Sequence, residues 1–166
     1  MKHCNRTACA IDISLNDQTL ALLDSNGGIV ASYPVSTALN GVGEQHGSGC
    51  TPAGAHYIRA MIGAGLPANT VFRARRSTGE IYSPQLAARY PDRDWVLSRI
   101  LWLCGQEPGK NRGAGVDTFR RFIYIHGTPN TEPMGLALSH GCIRMRNDDV
   151  IELFDLAWPG MPVTIR

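Results

Sequence analysis

The chain opens with apolar and polar positions in alternation. Ala10-Ile11-Asp12-Ile13-Ser14-Leu15 repeats with a period of two, Asn16-Asp17 supplies a turn, and Thr19-Leu20-Ala21-Leu22-Leu23 follows as a second strand. Asn26-Gly27-Gly28 marks the next turn before a third strand, Ile29 to Val35, so the first third predicts an antiparallel meander. From Ala38 to Pro52 glycines crowd a polar stretch, which reads as a flap or a disordered loop. Ala55 to Ala60 resumes a strand. Pro84 to Cys104 carries the best helical spacing (Leu86, Trp95, Val96, Ile100, Leu103, Cys104), broken near Pro91 and stopped by Gly105 and Pro108.

Gly109 to Val116 lacks the full spacing of a dinucleotide fingerprint and is assigned to loop. Phe122-Ile123-Tyr124-Ile125 predicts a short strand ending at His126. Asn147 can cap a helix, with Asp148 and Asp149 in its positive first turn and Val150, Ile151, Phe154 and Ala157 as its buried stripe. Met161 to Ile165 is a last strand. The pattern holds no internal repeat and no linker. It therefore predicts one mostly β domain over residues 1–166, a sandwich or open barrel of mainly antiparallel strands with one or two packed helices.

Composition changes this picture little. A chain of 166 residues suits one domain with a sizeable core, and 43% hydrophobic with 18% charged residues is ordinary for a globular protein. The net charge of +2 argues against nucleic acid as a partner, and the clusters Arg73-Ala74-Arg75-Arg76 and Arg120-Arg121 read as solvated faces. No stretch approaches the roughly 18 apolar residues of a membrane span. The start, MKHCNRTACA, lacks the apolar core of a secretory leader, so a cytoplasmic protein is expected unless a leader has been removed. The five cysteines, Cys4, Cys9, Cys50, Cys104 and Cys142, form no CxxC pair and are read as reduced thiols, with Cys104 a small core residue.

Chemistry concentrates late in the chain. His126, His140 and Cys142 fall within seventeen residues. A thiol attacks as thiolate, and a nearby imidazole can take its proton. Gly141 lets the backbone turn sharply and aim N–H groups at one spot, as an oxyanion hole requires. Cys142 should then be exposed in the loop ahead of the last helix. Zinc ligation by the same three residues and structural accident both stay open on spacing alone. His46 and Cys50, in HGSGC, echo the run but sit among glycines and read as flap residues; His56 should alternate on a strand face, and His3 and Cys4 look like a frayed end. Tyr57, Tyr82, Trp95 and Trp102 read as core or rim.

The segment IYIHGTPNTEPMGLALSHGCIRMRNDD, Ile123 to Asp149, closely resembles the signature of the L,D-transpeptidase catalytic domain, the YkuD or ErfK domain, in its SHGCIRM form. Tyr33 to Thr37, Thr51-Pro52-Ala53-Gly54 and Gly160 to Ile165 resemble the family's flanking motifs. Ala38, where the family usually has glycine, and the long Gly-rich loop before Thr51 depart from it at the substrate rim. The resemblance implies Cys142 as nucleophile and His126 as general base, oriented by the backbone around Gly127. It implies an oxyanion turn of His140, Gly141 and Cys142, with Ser139 supporting it. Arg144 would hold the turn or a substrate carboxylate, and Thr128 would join Ser139 and Arg144 in binding substrate. No cofactor and no metal are expected.

The implied reaction is acyl transfer at the L,D bond of a peptidoglycan stem tetrapeptide, releasing terminal D-Ala through a thioester. Muropeptides would be the partners and carbapenems possible covalent inhibitors. With no leader, water is the expected acceptor, giving an L,D-carboxypeptidase of cytoplasmic murein recycling. Transpeptidation (3-3 crosslinking or D-amino-acid exchange) is the alternative. An inactive murein- or zinc-binding module is the reading from another class.

Overall fold

The computed structural model describes residues 6–166, so His3 and Cys4 lie outside the described residues. The opening alternation becomes β1 (Ala10–Ser14), β2 (Thr19–Leu23) and β3 (Ile29–Pro34), followed by β4 (Gly54–Ile62), β5 (Thr70–Arg73) and β6 (Arg76–Ile81). Then come α1 (Pro84–Arg89), β7 (Val96–Gly105), β8 (Tyr124–Gly127), β9 (Ile143–Met145), α2 (Asn147–Leu156) and β10 (Pro162–Ile165). All ten strands join one branched sheet in the order β3-β2-β1-β10-β4-β7-β5-β6, with β8 added on β7 and β9 on β8. Among the described residues the fold is mostly β with two helices. Pairing is antiparallel except for β1 with β10 and β8 with β9.

One core cluster draws Ile11, Leu20, Ile58, Leu101, Ile125, Ile143 and Val163 from strands far apart in that order, so the sheet curls around it. From α2 come Val150, Leu153 and Phe154, while Ile151 and Ala157 of the expected stripe are only half-buried. Each fully buried Leu or Ile contributes about 1.5–3 kcal/mol.

The expected helix over 84–104 is the main correction. Only Pro84–Arg89 is helical, capped by Ser83 Oγ accepting from Leu86 N at 3.1 Å. From Val96 onwards the segment is β7, which carries β4 and β5 as well as β8. Leu97, Ile100, Leu101 and Leu103 are all fully buried, because a central strand covered on both faces needs apolar residues on both. Such an unbroken run looks like a buried helix to any periodicity argument. Cys104, near its end, is half-buried instead of core.

The β5–β6 hairpin went unforeseen. Its turn places Ala74 and Arg75 at φ 46° and 64°, the left-handed pair of a two-residue hairpin loop, without the Asn-Gly that advertises one. In the Arg73–Arg76 cluster, Arg73 and Arg76 are exposed as expected, but Arg75 is half-buried. Asn147 is likewise not the cap of α2. The N-cap is Arg146, without a side-chain bond, and the Asn147 side chain is buried beside β7 and β8. Cys9 is disulfide-bonded, which overturns the reading of every cysteine as a free thiol. Among the described residues, no helix is long and apolar enough to cross a membrane.

Candidate active site

The parallel pair β8–β9 builds the site. Its register sets Ile125 opposite Ile143 and His126 opposite Arg144. Carried one residue back, it sets Tyr124 opposite Cys142. Because strand side chains alternate, Ile125 and Ile143 enter the core while Tyr124, His126, Cys142 and Arg144 share the other face. His126 and Cys142 are diagonal neighbours there, about 7 Å apart by the usual spacing of paired strands. His126 lies inside β8 and not at its end, since the strand starts two residues later than its sequence predicts. Phe122 stays outside it, at φ 58°.

His126 is buried, and its Nδ1 lies 2.7 Å from the carbonyl oxygen of Gly127. A carbonyl only accepts, so Nδ1 carries the hydrogen and the lone pair sits on Nε2. Burial pulls the imidazole pKa down, with the Gly127 carbonyl opposing, so the ring is neutral at pH 7. Gly127 itself has no room for a side chain: a Cβ there would meet Asn147 Oδ1 at 2.5 Å and Leu97 O at 2.6 Å. Asn147 fills that corner, accepting from Ser98 Oγ at 2.6 Å and donating to Thr128 O at 2.9 Å.

Cys142 is half-buried and packed against the Tyr124 cluster, where an exposed loop position was expected. Its Sγ accepts from Tyr124 N at 3.3 Å and donates to Phe122 O at 3.4 Å. Burial pushes the thiol pKa up to about 11, against the lowering effect of the Tyr124 N–H. The resting group is therefore a thiol, and attack requires a base at the moment of reaction.

The turn before Cys142 is braced from three sides. Gly141 sits at φ +133°, which few side chains tolerate, and a Cβ would lie 3.3 Å from Cys50 O. Ser139 Oγ donates to Cys142 O at 2.5 Å and accepts from Gly141 N at 3.2 Å. Thr51 Oγ1 donates to Gly141 O at 2.9 Å. With the Gly141 amide thus engaged, the amides of His140 and Cys142 bond nothing among the described residues. The Gly-rich flap is stitched to the loop ahead of β8 by Arg121, which donates to Cys50 O at 2.6 Å and Gly43 O at 3.1 Å.

The remaining side-chain candidates, His140, Arg144 and Thr128, line a cleft. The His140 side chain is 76% exposed and faces Asp94 Oδ2 at 3.2 Å. Arg144 is buried, donating to Asp94 Oδ1 at 3.0 Å and lying 3.7 Å from Glu132 Oε2. Thr128 lines, with Asp94, Glu132, His140 and Arg144, a cleft of about 280 Å³. A second cleft of about 340 Å³, lined by His46, Arg121, Ile123 and His140, opens on the other side. His140 is the ridge between them. Among the described residues, no three His, Cys, Asp or Glu side chains converge as metal ligands would. Sequence reasoning missed the roles of Asp94, Arg121 and Tyr124; Arg121, read as part of a solvated face, is half-buried against the flap.

The model of the YkuD family, the L,D-transpeptidase catalytic domain, matches residues 9–165. The chain belongs to this family. It is 32% identical over 123 residues to the Probable L,D-transpeptidase ErfK/SrfK of Salmonella typhimurium, across 69% of this chain and 39% of that protein. Among solved structures it resembles an L,D-transpeptidase from Mycobacterium smegmatis (TM-score 0.56, 17% identity), over 96% of this chain and 58% of the other. It also resembles L,D-transpeptidase 3 from Mycobacterium tuberculosis in complex with a faropenem-derived adduct (TM-score 0.57, 16% identity), over 96% and 60%. At these identities the structural likeness concerns the L,D-transpeptidase fold alone. The chain spans well under two thirds of the relatives' own length.

Proposed function

We propose that the chain cleaves the L,D peptide bond of peptidoglycan stem tetrapeptides through a thioester on Cys142. The observation that carries this is the β8–β9 face, which sets a half-buried thiol diagonal to a buried, neutral imidazole whose tautomer is fixed by Gly127 O. His126 Nε2 takes the thiol proton as sulfur attacks the carbonyl on the L-centre of the third residue. The S–C bond forms, the oxyanion is met by the amides of His140 and Cys142, and the C–N bond breaks. The same proton passes to the departing D-Ala amine. Ser139 and Thr51 hold the turn. Arg144, already paired with Asp94 and Glu132, holds the cleft wall, and Thr128 contributes to substrate binding.

Two acceptors can break the thioester. The clefts on either side of His140 favour a donor on one flank and a bound amine on the other, which gives transpeptidation or D-amino-acid exchange. The partial exposure of Cys142 favours water, which gives an L,D-carboxypeptidase. A cytoplasmic site of action is no premise of either route, and the disulfide-bonded Cys9 is more at home in an oxidising compartment.

The test incubates the protein with a disaccharide tetrapeptide, with and without a D-amino acid, and follows products by mass. A thioester, lost in Cys142→Ala, is expected in both arms, with exchanged or crosslinked stem dominating when an amine is present. Tripeptide alone in both arms would select hydrolysis. No adduct with either stem or carbapenem would sink the reading.

A further inference from the structure

Arg144 and Arg121 bear on the nucleophile directly, and both are spent, while a third arginine, Arg75, sits on the aromatic cluster that flanks it. Arg144 is held by Asp94 and Glu132. Arg121 is held by the carbonyls of Gly43 and Cys50. Arg75 has neither. Its guanidinium lies 4.8 Å from the ring centroids of both Trp102 and Phe122 and donates from Nη1 to Tyr124 Oη at 3.2 Å. Among the described residues, no carboxylate pairs with it. A planar cation fixed against aromatic faces keeps its fork of N–H groups in place for a carboxylate.

The mount for this side chain is costly. Ala74 and Arg75 occupy the left-handed region without being glycine, as does Phe122 at φ 58°. Such positions persist only where the surroundings impose them, at about 1–3 kcal/mol each, and they gather at ligand clamps. The cluster also touches the reacting thiol directly, since Phe122 O accepts from Cys142 Sγ and Tyr124 N donates to it. Phe122 remains 48% exposed, so this wall faces solvent beside the sulfur.

We infer that Arg75, held by Trp102, Phe122 and Tyr124, is an anion subsite that binds a free carboxylate of the acyl donor beside the carbonyl delivered to Cys142. The inference rests on the stem reading above. A stem with diaminopimelate offers such carboxylates close to the scissile bond, on its second residue, on the far end of its third and on the terminal D-Ala. Binding there selects donors by charge and is not part of the proton transfer.

The test measures kcat/KM for thioester formation with free-acid tetrapeptide and with stems amidated at one carboxylate at a time. Arg75→Gln should lose about tenfold to a hundredfold on the free-acid stem, the scale of a charge-assisted hydrogen bond. It should lose little on one particular amidated stem, which in turn should be as poor for the wild type as the free-acid stem is for the variant. Arg75→Lys should recover part of the loss. Tyr124→Phe, which frees the guanidinium without removing it, should give an intermediate loss with the same dependence on the carboxylate.

Iodoacetamide alkylation of Cys142 should proceed at the wild-type rate in both Arg75 variants. An equal loss on free-acid and all amidated stems would mean that Arg75 only pins the hairpin, and would overturn the inference, as would no loss at all. Wild-type protein that alkylates normally yet forms no thioester on any stem would overturn the stem reading and this inference with it.

Discussion

Two histidines in this fold share almost everything and differ in one bond. His56 on β4 and His126 on β8 are both buried, both have their pKa pulled down by burial, and both set Nδ1 against a backbone carbonyl, Gly54 O at 2.9 Å and Gly127 O at 2.7 Å. The carbonyl fixes the same tautomer in each. His56 then uses Nε2 as well, accepting from Thr118 Oγ1 at 3.0 Å, and so pins the loop ahead of β8 to β4. Among the described residues, nothing bonds Nε2 of His126. Burial and a perturbed pKa thus do not separate a structural imidazole from a working one. The unspent lone pair does, together with a thiol on the same face.

The strongest way to break this contrast is to remove each ring in turn. His126→Gln should slow acylation of Cys142 by a carbapenem or a stem by about 10²- to 10⁴-fold, the usual worth of a placed general base. His56→Gln and His140→Ala should stay within about tenfold of wild type, since neither reaches the sulfur. Stopped-flow or timed mass spectrometry reads all three. A loss at His140→Ala as large as at His126→Gln would transfer the role of base to the exposed ring.

The pH profile sharpens the same point. The wild-type rate should be flat near pH 7 and fall only as His126 becomes protonated, below the ordinary 6.5 of histidine because burial lowers it. In His126→Gln the reaction must draw on the thiolate already present. With the thiol at about 11, its rate should climb about tenfold per pH unit from 7 to 10. A pH-independent rate in that variant would show that another group takes the proton.

The site was more legible in the sequence than the strands that carry it. SHGC puts nucleophile, glycine turn and supporting serine on adjacent residues, so a local string reports a local structure. The meander was legible for the same reason, since β1 to β3 show one face to the core and one to water. β7 was not, because burial on both faces erases the period of two, and its register shift around Ser98, at φ 66°, breaks what remains. Nor was the β5–β6 hairpin, whose Ala74-Arg75 turn has no local reason to be left-handed and is held by contacts with β7 and β8. Asp94 and Arg121 reach the thiol's surroundings, and Arg75 the aromatic cluster beside it, through pairings tens of residues apart, and no window of sequence contains both ends.

Stability gives a smaller effect with the opposite ranking. His56→Gln should cost about 1–3 kcal/mol by leaving Thr118 Oγ1 or Gly54 O without a buried partner. The sign with pH follows from the lowered pKa values. An unfolded imidazole binds its proton near pH 6.5, the buried ones only at lower pH, so protons favour the unfolded state and stability falls as pH drops below 6.5. Either Gln variant should flatten part of that slope in urea titrations between pH 7 and 5. An unchanged slope in both would mean that these rings take up their protons at the same pH in the folded and unfolded states.

The smallest effect tests whether the charges near the pair tune it or only shape the cleft. Asp94 meets both His140 and Arg144, raises the Cys142 pKa and also raises that of His126. Its side chain is half exposed, so its pairs are screened and worth at most about 1 kcal/mol. In Asp94→Asn, Arg144 keeps Glu132 at 3.7 Å as its carboxylate partner and its positive charge is less compensated. The thiol should then titrate lower, as read from the pH dependence of iodoacetamide alkylation. The acid limb of the acylation profile should move lower too, because Arg144 then opposes protonation of His126 with less offset. Both limbs move in one direction only if a charge acts on thiol and imidazole together. Movement of one limb alone would mean that Asp94 works by holding the cleft, with its field at the β8–β9 face too weak to matter.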